Sequence, residues 1–363
     1  MLDFELDEEQ KMLVEAIGRY SETQVRKAYR DADEDGAIPP EVSKAGWEFG
    51  LLPTGIPEAF GGFGEYSAVT GVLAMEEFAH GDLAVALEIG VPALVALPLM
   101  LAGTDEQKAA HLPDFCREAA PKVSAALVEP TIQFDPRGLN TTAAREGDGY
   151  VLDGAKCQVP LATEAETFLI YASEGGQTQA FLVPAGTDGL QVGEREKLMG
   201  IRALPTFGLT LENCRLPLAN KVGGEAGIEF GVLLNHSRVA LGAAAVGVAR
   251  AGYEYARDYA KERQQFGEPI AHRQSIAFML AEMAIEVDAA RLMVWEAAWK
   301  LDQGEDATVE ATVMKYFVDN MVLEVADRAV QTLGGYGYIR EYPVELWLRN
   351  ARGFATFDGL AMV

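Results

Sequence analysis

Three groups of residues in this chain are of types that do chemistry when brought together. Asp358, in the segment FATFDGLAMV, is a carboxylate that could take a proton at hydrogen-bond distance. Arg263 and Phe266, in RQQFGEPI, set a planar fork of donors suited to a pyrophosphate near an aromatic face. Gln331 with Gly334 and Gly335, in QTLGGYGYIREYPVE, leaves backbone open to close approach, because glycine has no side chain to block it. Each group also has a plain structural reading. A Gly-Gly pair after a long helix is commonly a helix stop, and a carboxylate close to a chain end is commonly solvated. His80, His111, His236 and His272 lack ligand spacing and read as surface or packing residues, so no metal site is expected.

These residues need elements to hold them, and the chain divides into three zones. Residues 1–120 carry apolar positions at helical spacing in LDEEQKMLVEAIGRYSETQV and VTGVLAMEEFAHGDLAVAL. Between them GLLPTGIPEAFGGFGEY is rich in Pro and Gly and reads as an ordered loop. Asp105 is a candidate cap for a short helix. Residues 121–220 switch to short alternating runs, GYVLDG, FLIYAS, QAFLVPAG, LQVGE and FGLTLENCRLP, separated by turn signals; this predicts a small β-barrel or sandwich. Residues 221–363 return to long amphipathic helical segments, whose simplest packing is an up-and-down four-helix bundle. The expected fold is therefore mainly α with a central β domain.

Composition narrows the function classes. Of the 363 residues 49% are hydrophobic, enough for a large core. Thirty basic against 55 acidic side chains give a net charge of −25, which argues against nucleic acid and anionic membrane surfaces. Cys116, Cys157 and Cys214 are widely spaced, so neither a disulfide framework nor a zinc site is expected and a reducing, cytoplasmic setting fits. The acidic start MLDFELDEEQK has no secretory h-region. The apolar stretch Ala84–Ala102 is interrupted by Glu88, Pro92 and Pro98 and reads as a buried helix pair, not a membrane insertion.

Helix–β–helix in this order, with GIPEAFGGFG (55–64), AMEEFAHGD (74–82), AGTDEQKAAHLP (102–113), LMGIRALPT (198–206), RQQFGEPI (263–270), HRQSIAFMLAEMA (272–284) and LGGYGY (333–338), resembles the acyl-CoA dehydrogenase family over essentially the whole chain. The resemblance implies FAD as cofactor and α,β-dehydrogenation of an acyl-CoA thioester to the 2-enoyl-CoA. It implies Asp358 as the base, in the place of the family's glutamate, with Phe357 and Gly359 beside it. Arg263, Phe266, Gln274, Gln331, Gly334 and Gly335 would reach the neighbouring subunit's flavin. Leu127, Val128, Gln158 and Pro160 would line this chain's own, and Asn235 and Arg238 the substrate. An electron-transferring flavoprotein is the implied acceptor.

The chain departs from the family pattern in the β zone and near its end. Glu129, Pro130 and Asp135 remain, but Val128 replaces a threonine, and Ile132, Gln133 and Phe134 fill a loop that is normally small, where their bulk would crowd the cofactor. Gln158, Val159 and Pro160 stand for a Trp-Ile-Thr element, and Pro160 has no N–H to donate. Leu360 replaces a threonine and Leu346 an arginine. Aspartate is about 1.5 Å shorter in reach than glutamate, and Ser237, before Arg238, offers no alternative base. Two readings follow: a self-sufficient homomeric dehydrogenase, or one subunit of a heteromer, a homo- or hetero-tetramer in which this chain completes a partner's flavin site without catalysing. The family commonly continues with a further helix, and the ending at Val363 fits the second. A flavin oxidase of the same fold is a third.

Overall fold

The computed structural model describes residues 5–363. The N-terminal helices are α1 (Glu8–Tyr20), α2 (Arg26–Asp35), α3 (Pro40–Trp47), α4 (Leu51–Gly55), α5 (Ala68–Gly81), α6 (Leu83–Gly90), α7 (Ala93–Ala102) and α8 (Asp105–His111). The Pro/Gly-rich segment between α3 and α5 is ordered, and it holds the short α4 and a 3-10 turn at Glu58–Phe60. Thr104, not Asp105, caps α8: its hydroxyl accepts from the Gln107 N–H while the Gln107 side chain accepts from the Thr104 N–H. This capping box leaves Asp105 in the first turn, where its charge suits the helix dipole. The apolar stretch forms α6 and α7, bent by 43°. Pro98 sits inside α7.

Seven strands form one curled sheet: β1 (Val123–Ala126), β2 (Thr142–Glu146), β3 (Gly149–Pro160), β4 (Thr167–Glu174), β5 (Gln177–Pro184), β6 (Leu190–Arg195) and β7 (Thr206–Pro217). The order is β1-β4-β2-β3-β7-β6, with β5 paired along β4. The five runs read from alternation are β3 to β7. β1 (VSAA) and β2 (TAARE) each hold a single β-branched residue, Val123 or Thr142, and no aromatic, too little to mark a strand in sequence.

The last zone contains α9 (Phe230–Glu262), a two-residue hairpin of β8 (Gln264–Gln265) and β9 (Glu268–Pro269), α10 (Gln274–Asp302), α11 (Thr308–Leu333) and the short α12 (Val344–Ala351). α9 is long and apolar enough to cross a membrane, but 89% of its most apolar window is buried inside the protein, so it is a core helix. One apolar core runs from α1, α5 and α6 through α9, α10, α11 and α12. α5 therefore joins the C-terminal helices as a bundle partner. Gly247 on α9 permits this: an added Cβ there would lie 2.3 Å from the Glu76 carbonyl oxygen on α5.

Candidate active site

Asp358 lies in a turn between the 3-10 segment Phe354–Thr356 and Gly359, and two glycines shape that turn. Gly359 has φ +79°, and a Cβ there would also meet Leu127 at 2.9 Å. At Gly353 a Cβ would strike the Phe357 ring at 2.0 Å. Phe357 is buried and packs edge-on against Phe354, with ring centroids 5.5 Å apart. The Gly359 N–H donates to Ser237 Oγ at 3.2 Å, which ties the turn to α9. Asp358 itself is partly buried, and its Oδ1 is a buried oxygen without a hydrogen-bond partner among the described residues. Leu360, Ala361, Met362 and Val363 continue into the core.

Two helices bring polar groups to this turn, α9 through Ser237 and α11 through Lys315. Arg238 on α9 donates from Nη1 to Thr312 Oγ1 on α11 at 3.1 Å, while its buried Nε has no partner among the described residues. Asn235, one turn earlier, donates to Thr308 Oγ1 at 3.1 Å and leaves its buried Oδ1 unpaired. Lys315 on α11 grips both oxygens of Asp319, at 2.7 and 2.6 Å, and the Phe354 carbonyl at 3.0 Å. Burial raises the Asp319 carboxyl above its ordinary range; Lys315 opposes this, the nearby Asp358 charge adds to it, and Arg238 opposes it. The sequence reading missed Lys315 and Asp319. Their i,i+4 spacing marks a helix-surface ion pair, and only the tertiary fold turns it toward Asp358.

Leu127 and Val128 follow β1 and lie against β3. The Val128 carbonyl accepts from the Cys157 N–H at 2.9 Å, and the Leu127 carbonyl from Lys156 Nζ at 3.1 Å. Lys156 is buried and pairs with Glu129 at 2.8 Å, while Glu129 also accepts from the Asn140 and Thr141 N–H groups. Burial pulls the Lys156 ammonium down to about 8 against the pull of Glu129. Burial pushes the Glu129 carboxyl up, but the Lys156 charge and the hydrogen bonds outweigh it, and the net shift is downward. The β3–β7 register slips between Lys156 and Val159, and Gln158 there adopts φ +55°. This bulge re-aims Gln158: its N–H meets both Glu196 oxygens at 3.1 Å, and its buried Oε1 stays unpaired. Thr206, paired with Pro160, has an unpaired buried hydroxyl. The Pro160 carbonyl accepts from Ser124 Oγ at 2.5 Å. In the enlarged loop, Ile132 points wholly to solvent, and Phe134 is partly buried against an apolar cluster that includes residues of α7 and β1.

The outer group gathers at the other end of the bundle. Arg263 ends α9 and lies 5.1 Å from the Tyr336 ring centroid. Phe266 stands at the tip of the β8–β9 hairpin, 93% exposed with φ +55°. Gln274 opens α10 and is exposed, as are Gln331 in the last turn of α11 and Gly334 and Gly335 after it. Added Cβ atoms at either glycine would meet nothing within 4 Å. By helix rise, the 25 residues of α9 from Arg238 to Arg263 span ~37 Å, longer than an extended flavin dinucleotide. Arg238 of the inner set lies near the start of α9, and Arg263 of the outer set lies just past its end.

Family models match in three consecutive blocks: the acyl-CoA dehydrogenase N-terminal domain at residues 7–119, the middle domain at 124–214 and the C-terminal domain at 230–362. The probable acyl-CoA dehydrogenase YngJ of Bacillus subtilis is 36% identical over 100% of this chain and 97% of its own length. The caffeyl-CoA reductase–Etf complex subunit CarC of Acetobacterium woodii is 34% identical, covering 98% and 96%. The solved butyryl-CoA dehydrogenase of Megasphaera elsdenii superposes with a TM-score of 0.89 at 29% identity, covering 98% and 96%. An FAD complex is among the solved structures with this fold. The residues present fit FAD. The Arg263 fork and the open glycines suit its pyrophosphate end, and the unpaired Gln158 Oε1 and Thr206 Oγ1 suit the polar edge of its ring.

Proposed function

Because the chain belongs to the acyl-CoA dehydrogenase family and is an FAD-dependent oxidoreductase, we propose that it removes hydrogen across the α,β bond of an acyl-CoA thioester, with Asp358 as the base. The observation that carries this reading is the unpaired, buried Asp358 Oδ1 on a turn fixed by Gly359 and Ser237. A desolvated carboxylate with a free oxygen can accept the substrate α-proton at hydrogen-bond distance. Its shorter reach is met by fixing the turn from both sides, through Ser237 on α9 and Leu127 after β1. Phe357 and Leu360, both buried, exclude water around it. Asn235 and Arg238 stand one turn apart on α9 with unpaired polar atoms that could orient the thioester end of the substrate. FAD, when bound, supplies the acceptor for the β-hydrogen.

The proposed place for the apolar acyl group is the cavity that Met362 and Val363 border. A small gap beside Gly359 is bordered by Leu94, Ala125, Leu233 and Met362. Met362 also borders a cavity of about 430 Å³ with apolar walls that include Met75, Phe78, Ile89 and Leu97. Val128, Gln158 and Pro160 are the proposed contacts to this chain's own flavin. Arg263, Phe266, Gln274, Gln331, Gly334 and Gly335 are the proposed contacts to a neighbour's, a division supported by the exposure of Phe266, Gln274 and Gln331. The partner is a second copy of the chain. The zones 1–120, 121–220 and 221–363 are its proposed domains, and the three free cysteines support a cytoplasmic setting. The resemblance to CarC, named as part of an Etf complex, supports an electron-transferring flavoprotein as acceptor.

A heteromeric role is favoured by one observation: the Gln158 N–H is already bound to Glu196, and Pro160 offers none. In that case the flavin content of the pure homomer would be low. The test is Asp358→Asn in the purified holoenzyme. We expect flavin content to stay near one per chain while acyl-CoA-dependent reduction of an artificial acceptor falls by ~10³-fold or more, a loss on the scale of removing a general base. Turnover within a few-fold of the parent would dispose of the assignment. Reduction that proceeds equally well with O₂ alone would move the chain to the oxidases of this fold.

A further inference from the structure

We infer that Met362 sets the acyl specificity of this site, as the partition between the turn that carries Asp358 and an apolar cavity that takes an uncharged acyl chain. The inference rests on the acyl-CoA reading of the site and is independent of which group is the base. Met362 borders two spaces at once. On one side is the gap beside Gly359, about 10 Å³ in volume, room for no more than one water. On the other is the cavity of about 430 Å³, close to three times the ~150 Å³ that encloses a benzene molecule. A chain that leaves the turn on this side meets Met362 before it meets the cavity. Consecutive residues of α9 hold the segment that bears Met362. Ser237 Oγ accepts from the Gly359 N–H at 3.2 Å, and His236 Nδ1 donates to the Val363 main-chain oxygen. Tyr66 Oη lies 3.0 Å from the same His236 nitrogen, and Tyr66 lines the cavity. On α5, Gly71 leaves the space that Val363 fills: an added Cβ there would lie 3.1 Å from the Val363 side chain.

The backbone of the partition is thus tied at both ends, while its side chain is adaptable: an unbranched thioether with three rotatable bonds can swing aside or fill space. The walls beyond it include Leu13, Phe49, Met75, Phe78, Ile89 and Leu97. Among the described residues that line the cavity none is a lysine, arginine or histidine, and the charged ones are Asp7, Glu9 and Glu65, all exposed. A saturated chain gains about four-fold in affinity for each methylene it buries there. A chain that ends in a carboxylate finds no cation and meets only like charges, so the cavity rejects it.

The test is the ratio of kcat/KM for octanoyl-CoA to that for butyryl-CoA in the FAD-loaded oligomer, with flavin content and Tm recorded for each variant. Met362→Ala removes the partition, and the ratio should rise by about five-fold or more, the scale of one or two further methylenes buried. Met362→Phe enlarges the partition, and the ratio should fall by a similar factor. Leu97→Trp fills the cavity and should cancel the gain when combined with Met362→Ala, which a merely loosened turn would not do. Met75→Phe, from α5, takes its place if the tryptophan variant does not fold. In the parent, kcat/KM for glutaryl-CoA should lie ~10²-fold or more below that for pentanoyl-CoA, which has the same length without the charge. A ratio that stays put in both Met362 variants, or a Met362→Ala gain that survives the filled cavity, would overturn the partition. Glutaryl-CoA turned over as well as pentanoyl-CoA would overturn the uncharged class. Calorimetric binding in the Asp358→Asn background separates this inference from the base assignment: the Kd ratio of the same two thioesters should move with Met362 even where turnover is lost. Normal turnover by Asp358→Asn would remove the base reading alone, whereas failure to bind any acyl-CoA would remove both.

Discussion

At Glu88, on α6, burial pushes the carboxyl up to about 7; the hydrogen bond from Ser43 opposes this and the charge of Glu164 adds to it. The ordinary value is 4.5, so between these two pH values the folded protein keeps a proton that the unfolded chain has lost. Stability from this group is full below about 4.5 and declines as pH rises through about 7. Glu88→Gln keeps an acceptor for Ser43 without the charge. It should be neutral in Tm near pH 4.5 and more stable than the parent by about 1–3 kcal/mol at pH 8; parallel Tm–pH curves for the two proteins would contradict this. Lys156→Met acts in the opposite sense, because it strands the buried Glu129 carboxylate beneath Leu127 and Val128. We expect a loss of about 3–5 kcal/mol by denaturant unfolding, with much of it recovered when Glu129→Gln is added. Neither role is legible in sequence. Glu88 reads only as an interruption of an apolar stretch, and Lys156 as an ordinary strand cation, since pairing across 27 residues is a tertiary fact.

The long helices and five of the seven strands are legible because their period is carried by many residues at once. What escapes is set by few residues. β1 and β2 are short and rich in alanine, and the bulge at Gln158 puts a non-glycine residue at φ +55° with no turn signal around it. The place of α5 in the bundle is likewise hidden. The AMEEFAHGD segment gives no sign that Glu76 and Glu77 meet Arg250 of α9, both at 2.7 Å, or that Glu76 meets Arg291 of α10 at 2.9 Å. Burial opposes the Arg250 charge, but the two glutamates outweigh this and raise its pKa. Arg250→Met would leave Glu77 without its cation in a largely buried position, with Glu76 held by Arg291 alone. Unfolding free energy should drop by about 3–5 kcal/mol, and Glu77→Gln in that background should recover part of it. A change under ~0.5 kcal/mol would show that apolar packing alone seats α5 on α9.

At the scale of the whole molecule, the resemblance made the family and the cofactor legible in the sequence, and the proposed flavin site shared between two copies involves residues at opposite ends of α9. α9 carries Arg238 near its start, and Arg263 caps its end ~37 Å further along the helix axis. The exposed Phe266 and the open glycines make sense as half of a site that a second copy completes. Intersubunit complementation tests this most directly. Chains carrying Arg263→Ala and chains carrying Asp358→Asn, each inactive alone, are co-expressed with different tags, and mixed oligomers are assayed for flavin content and acyl-CoA turnover. In a mixed pair one site joins the intact Asp358 of the first chain to the intact Arg263 of the second, and the other site carries both lesions. In isolated two-fold mixed pairs one site in two is intact, so activity and flavin should each reach about half of the parental level. Activity no higher than in either parent variant would contradict a flavin site shared between chains.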